Sequence, residues 1–185
     1  MIDGVVFDKD GTLFDFRSSW GGWARRVLAQ LAADPAHAAA MADAMRFDPA
    51  TGQFAPDSPV IAGTSAEIAV VLLPCLPGTT LSALTNRLNL LAASADMTPA
   101  VPLRPLLSGL RARSLRLGLA TNDAEAAARA HLATESVEDL FDLVAGYDSG
   151  HGAKPGPGML LAFARHTGLA PDRVLMVGDS LHDLV

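Results

Sequence analysis

The stretch "VVFDKDGTLFDF", residues 5–16, decides how the rest of the chain is read. The apolar run from Ile2 to Phe7 is short and rich in β-branched residues, the pattern of a buried strand. It stops abruptly at Asp8, Lys9 and Asp10, followed at once by Gly11 and Thr12. Two carboxylates two residues apart repel each other, and the glycine after them removes any regular element that would support them. A buried strand that ends in like charges needs a reason.

Downstream, residues from about Ser18 to Met45 carry Ala, Leu and Arg at helical spacing, interrupted at Pro35, and predict two helices. "RFDPATGQFAPDSPVIAG", from Arg46, reads as a turn-rich loop. Thr64–Leu73 and Gly78–Ser94 predict two further helices, the first opening on a Thr or Ser cap with Glu67 close behind. After Pro99 the texture changes. Helices over Arg104–Arg113, Ala124–Thr134 and Pro155–Thr167 alternate with strands in "LRLGLATND", "DLVAGYDSG" and "RVLMVGDS". Alternating strands and helices imply a doubly wound, Rossmann-like parallel sheet with helices on both faces. The expected organisation is a discontinuous α/β core, residues 1–14 and 99–185, interrupted after its first strand by an all-helical cap over 15–98. An insertion there lies over the carboxyl edge of the sheet, where open α/β sheets bind ligands, and reads as a lid.

Composition narrows the class. Half of the 185 residues are hydrophobic, which predicts a globular chain with a sizeable core. A net charge of -6 argues against a nucleic-acid partner. One cysteine, Cys75, leaves no internal disulfide and fits a reducing cytoplasm. It reads as a buried small hydrophobe. Met1-Ile2-Asp3 lacks a basic segment of the signal-peptide kind, and "IAVVLLPCL" is too short to span a membrane, so no membrane partner is expected. Nothing in the composition specifies an oligomeric state. Only two of the 14 basic residues are lysines, Lys9 and Lys154. A chain that otherwise uses Arg keeps Lys where a compact ammonium is wanted; this reading is applied to Lys154 and left open for Lys9.

Four strand ends carry polar residues: Asp8 and Asp10, then Thr121 and Asn122, then Lys154, then Asp179 with Asp183 four residues on. In a parallel doubly wound sheet these ends meet at one edge. The acids are then paired because a cation sits between them. Oxygens of Asp8, Asp10 and Asp179 suit a hard divalent ion, Mg²⁺ first. Carboxylate-bound metal, a lone lysine and a small hydroxyl make a phosphoryl site, in which an Asp can act as nucleophile and a second acid can shuttle protons.

In this order, "DKDGTL", "LATND", "AKPGP" and "GDSLHD" resemble the four motifs of the haloacid dehalogenase-like hydrolase superfamily, phosphatase branch with a helical cap, phosphoglycolate phosphatase-like. The resemblance implies Asp8 as nucleophile and metal ligand. It implies Asp10 as acid/base, with its backbone carbonyl on the metal. Thr121 and Lys154 would hold the phosphate with Asn122 beside them, and Asp179 would bind Mg²⁺ with support from Asp183. It further implies hydrolysis of a small phosphorylated metabolite. Asp10 argues for phosphoryl rather than haloacid chemistry, and a sugar phosphomutase shares all four motifs. A receiver module or a non-catalytic scaffold is the rival from another class. Members usually continue beyond the position of Val185 through another helix and strand, so the C-terminal part of the core is expected to be missing.

Arg17, Ser18 and Arg46 are candidates for reading the far end of the substrate from the cap. Phe16, Trp20 and Trp23 are expected to pack the cap, and His151 and His182 to face solvent. The bland alternatives are a helix cap for Thr121-Asn122 and helix-start acids for Asp179 and Asp183.

Overall fold

The structure, a computed structural model, describes residues 1–183. From the N-terminus, β1 (Gly4–Phe7) leads into α1 (Phe16–Leu31), α2 (Pro35–Ala44), β2 (Phe47–Asp48), β3 (Gln53–Phe54), α3 (Ser65–Leu72) and α4 (Leu81–Ala93). There follow α5 (Leu103–Arg111), β4 (Arg116–Ala120), α6 (Glu125–Thr134), β5 (Leu143–Ala145), α7 (Gly158–Thr167) and β6 (Val174–Val177). The chain divides into two compact units, one of Met1–Phe16 with the stretch from Thr98 onward, the other of Arg17–Met97.

In the first unit, four strands form a parallel sheet in the order β5–β4–β1–β6. β1 is central, with Phe7 level with Leu119 on one side and Val177 on the other. Every residue of β1 is buried, as an apolar strand covered on both faces must be. Val6, Ala120 and Ala145 share one face with Met159 and Phe163 of α7. Val5, Leu117 and Leu119 have the opposite parity and are equally buried. The chain leaves β1 for β4 and β5 on one side, then crosses to β6 on the other. The carboxyl ends of β1, β4 and β6 therefore lie side by side at a switch in strand order.

The second unit is built on α1–α4. Trp23, Ala24, Val27 and Leu28 line the buried stripe of α1, and Trp20 meets Trp23 edge-on with ring centroids 5.2 Å apart. Pro35 does not merely interrupt a helix; it opens α2, and Asp34 caps it by accepting from the His37 amide at 2.8 Å. Thr64 and Glu67 form a reciprocal capping box at the start of α3.

Two expectations are corrected in this unit. It is not all-helical: the stretch read as a loop contains the antiparallel pair β2–β3, closed by a turn at Gly52 and stapled by Phe47 and Phe54 with ring centroids 4.8 Å apart. Strands of two residues are too short to show a period; backbone bonds from Gly52 to Asp48 O and from Ala55 to Arg46 O flank the pair, and the aromatic contact adds to them. Cys75 is half-buried rather than buried, at the end of a short turn of helix. No helix among the described residues is long and apolar enough to cross a membrane. The expectation about the far end of the core concerns positions after Asp183 and lies outside the described residues.

Candidate active site

Strand pairing runs one residue beyond β1, where the Asp8 amide donates to Val177 O at 2.8 Å. The chain then turns tightly. Lys9 O accepts from the amides of Leu13 and Phe14, both at 3.0 Å, and the Gly11 amide returns to Phe14 O at 2.8 Å. Gly11 has φ +85°, and a Cβ there would lie 2.1 Å from Asp179 Oδ2. The glycine thus serves both the turn and the close approach of the loop after β6. Gly178 allows a similar close approach for the next acid, since a Cβ there would fall 2.2 Å from Asp183 Cγ.

This folding brings Asp8, Asp179 and Asp183 together, each offering a carboxylate oxygen within 4.8 Å of the others. Asp8 and Asp183 are buried and Asp179 is exposed at the rim. Lys154 Nζ donates to Asp8 Oδ1 at 2.5 Å and to Asp183 Oδ1 at 2.6 Å. The other oxygen of Asp183 accepts from the Ser180 amide and hydroxyl, at 3.0 and 2.9 Å. Burial pushes the Asp8 carboxyl up to about 7; Lys154 opposes this and the nearby Asp10 adds to it. Burial and Asp183 push Asp179 up as well. Burial alone would also raise Asp183, but its hydrogen bond and ion pair with Lys154 win and hold it below the ordinary carboxylate range. Lys154 is pulled down by burial and more strongly up by Asp8 and Asp183, so it stays an ammonium. Three acids converge, two of them bonded to one lysine, and that donor set of carboxylate oxygens suits a hard divalent cation.

The end of β4 does not take up the helix-cap role that was its bland alternative. Buried Thr121 accepts from the Asp123 amide at 3.1 Å, while α6 begins at Glu125, whose amide donates to Asp148 Oδ1 at 2.8 Å. Asn122 faces the Lys154 backbone: its amide oxygen accepts from Lys154 N at 2.8 Å and its amide nitrogen donates to Lys154 O at 3.1 Å. The residue beside the expected phosphate contacts therefore fixes the segment that carries the lysine.

Asp10 belongs to a second cluster that the sequence reading did not assemble. Fully buried Lys9 donates to Asp10 Oδ1 at 2.8 Å, pairs with Asp123 Oδ2 at 3.3 Å and lies 3.2 Å from His131 Nδ1. Burial would lower the Lys9 amine, but Asp10 and Asp123 raise it further, so it is charged. Burial carries Asp123 above the ordinary carboxylate range, against the pull of Lys9. The only hint of this cluster in the sequence is the rarity of lysine.

Of the cap candidates, Arg17 and Ser18 stand exposed in the first turn of α1. Arg46 is exposed with φ 52° and its guanidinium pairs with Asp57 at 2.6 Å. All three belong to the second unit. His151 is half-buried rather than solvent-facing, and His182 is exposed.

The chain is similar in sequence to curated phosphatases. It is 36% identical over 78 residues to phosphoglycolate phosphatase of Nitrosococcus oceani, covering 42% of this chain and 35% of that protein. It is 42% identical over 79 residues to phosphoglycolate phosphatase of Rhodospirillum rubrum, covering 43% and 33%. The matched stretches thus span about a third of the length of these curated relatives. Among solved structures, CbbY from Rhodobacter sphaeroides in complex with phosphate superposes with a TM-score of 0.63 at 21% identity, covering 98% of this chain and 80% of that one. L-2-haloacid dehalogenase from Xanthobacter autotrophicus gives 0.61 at 24% identity, covering 99% and 72%. At these identities the likeness is one of fold. The family profile described as haloacid dehalogenase-like hydrolase matches residues 2–185, and the chain belongs to that family.

Proposed function

We propose that the protein is a Mg²⁺-dependent phosphatase that hydrolyses a small phosphomonoester through an aspartyl-phosphate on Asp8. The observation that carries this reading is the convergence of Asp8, Asp179 and Asp183 at the carboxyl edge of a parallel sheet, with the ammonium of Lys154 bonded to Asp8 and Asp183. The names of the relatives add support for a phosphate ester, with phosphoglycolate or a sugar phosphate as the first substrates to try. A single thiol is in keeping with a reducing cytoplasm.

Asp8, Asp179 and Asp183, with the backbone carbonyl of Asp10, would hold Mg²⁺, which neutralises charge on the non-bridging phosphate oxygens. In the first step a carboxylate oxygen of Asp8 attacks phosphorus, the ester P–O bond breaks, and Asp10 passes its proton to the departing oxygen. In the second, a water oxygen attacks phosphorus and Asp10 takes the water's proton. The bond from phosphorus to Asp8 breaks, which releases inorganic phosphate and restores both carboxyls. Lys154 and Thr121 hold the phosphoryl oxygens as charge develops, and Asn122 keeps the Lys154 backbone in place.

The test is release of inorganic phosphate from p-nitrophenyl phosphate and from a panel including 2-phosphoglycolate and sugar phosphates, with and without Mg²⁺, for the unaltered protein and for Asp8→Asn. Repeated turnover that requires Mg²⁺ and vanishes in Asp8→Asn supports the reading. Stoichiometric labelling without turnover, or transfer of phosphate between sugar positions without release, would replace it by a phospho-acceptor or a mutase.

A further inference from the structure

The cluster around Lys9 lies outside the carboxylate trio of Asp8, Asp179 and Asp183, yet it grips one of the two acids that the proposed reaction needs. Lys9 lies wholly out of solvent, an expensive place for an ammonium unless its protons are accepted. Its contacts include Asp10 Oδ1 at 2.8 Å, Asp123 Oδ2 at 3.3 Å and His131 Nδ1 at 3.2 Å, with the Phe14 ring centroid 5.9 Å away. An ammonium can only donate, so His131 Nδ1 accepts and the imidazole proton resides on Nε2. Phe14 meets the imidazole edge-on at 6.3 Å. Asp123 is itself held, its Oδ1 accepting from the Ala124 amide at 2.9 Å. Behind Lys9, its own carbonyl is pinned by the amides of Leu13 and Phe14.

A buried ionic cluster is a poor source of stability, because apolar side chains of the same volume often hold a core as well or better. What it does supply is orientation. An ammonium fixed from behind and bonded to one oxygen of Asp10 sets the plane of that carboxyl. Arginine's planar fork could not make these contacts from the same volume, which fits the retention of lysine in a chain of arginines.

We propose that Lys9 is a positioning residue for the reaction: its buried ammonium, backed by Asp123 and His131, holds the Asp10 carboxyl in the orientation from which it passes a proton to the leaving oxygen and takes one from water. This inference rests on the phosphatase reading and concerns the Asp10 proton transfers alone. A carboxyl tilted away from the substrate still leaves Asp8 as nucleophile, so loss of Lys9 harms substrates in proportion to their need for a proton.

The experiment compares kcat/KM across aryl phosphates with increasingly basic leaving groups, from p-nitrophenyl to phenyl phosphate, for the unaltered protein, Lys9→Met, Asp123→Asn and Asp10→Asn. In Lys9→Met the loss should be about tenfold greater for phenyl than for p-nitrophenyl phosphate, a part of the full general-acid effect. Asp10→Asn should show the same pattern in stronger form. Adding Lys9→Met to Asp10→Asn should steepen it no further, as expected of two groups acting as a unit. Asp123→Asn, a milder change than Lys9→Met, should reproduce the pattern at smaller size even if Lys9→Met does not fold. Equal losses across the series in a folded variant, or full additivity with Asp10→Asn, would overturn the proposal. Should the unaltered protein turn over no phosphate ester, the phosphatase reading fails by itself. The positioning claim is then decided by a crystal structure of Lys9→Met or Asp123→Asn, and an Asp10 carboxyl unmoved from its present orientation overturns it.

Discussion

Lys154 Nζ stands 2.5 Å from Asp8 Oδ1 and 2.6 Å from Asp183 Oδ1, so one ammonium serves both the end of β1 and the turn after β6. All three groups are buried, and removing the cation leaves two buried acids facing each other. Lys154→Met should therefore lower the stability of the metal-free protein by roughly 3–5 kcal/mol at about pH 8. Urea unfolding should find a smaller loss near pH 5, where a carboxyl can take up a proton in place of the missing charge. An equal loss at both pH values would separate Lys154 from this electrostatic role.

Asp8 provides a pH signature. Its folded-state value of about 7 stands above the 3.8 of an ordinary Asp, so the folded protein keeps a proton that the unfolded chain gives up. Stability contributed by this group is full below the lower value and is lost as pH rises through the upper one. At about pH 8 the ionised carboxylate costs the metal-free fold on the order of 4 kcal/mol at most. Asp8→Asn should melt several degrees above the unaltered protein there, with the difference fading toward about pH 4. Calorimetric scans across this range check the sign, and saturating Mg²⁺ should narrow the gap by stabilising only the protein that keeps its carboxylate.

Gly11→Ala tests the close approach of the two loops. The left-handed backbone and the 2.1 Å contact with Asp179 Oδ2 leave no room for a methyl group. Strain of about 1–3 kcal/mol and a displaced Asp179 should follow. Mg²⁺ affinity, read by titration against melting temperature, should drop at least about tenfold, the scale seen when the support of a metal ligand is disturbed.

Asn122→Ala removes two hydrogen bonds to the Lys154 backbone and should cost about 1–3 kcal/mol. If the amide works through Lys154, phosphate-ester turnover in the double variant Asn122→Ala with Lys154→Met should match that of Lys154→Met alone. Multiplying losses would instead give Asn122 a contact of its own with substrate.

Much of the α/β unit was legible because its signals are local. β1, β4, β5 and β6 sit within the stretches read as strands, and α5 and α6 lie within a residue or two of their expected bounds, since buried apolar runs and helical spacing survive in isolation. Pro155 and Pro157 fall just before α7 instead of inside its first turn. The β2–β3 hairpin escaped because strands of two residues carry no period. For Thr121 and Asn122 a helix cap was the bland alternative; Thr121 instead accepts from the Asp123 amide within its own turn, and only Asn122 finds a distant partner, the Lys154 backbone.

By itself the sequence determined which polar residues follow each strand, because apolar runs and their ends are properties of neighbouring residues; that Asp8, Thr121 and Asp179 share one edge was an expectation drawn from the alternation of strands and helices. Only the tertiary structure decided what each polar group faces. Lys154 serves Asp8 and Asp183, while Lys9 turns inward to Asp10, Asp123 and His131. Two identical side chains part company because charges select partners by distance in space, and chain order does not encode the separation between residues brought together by folding.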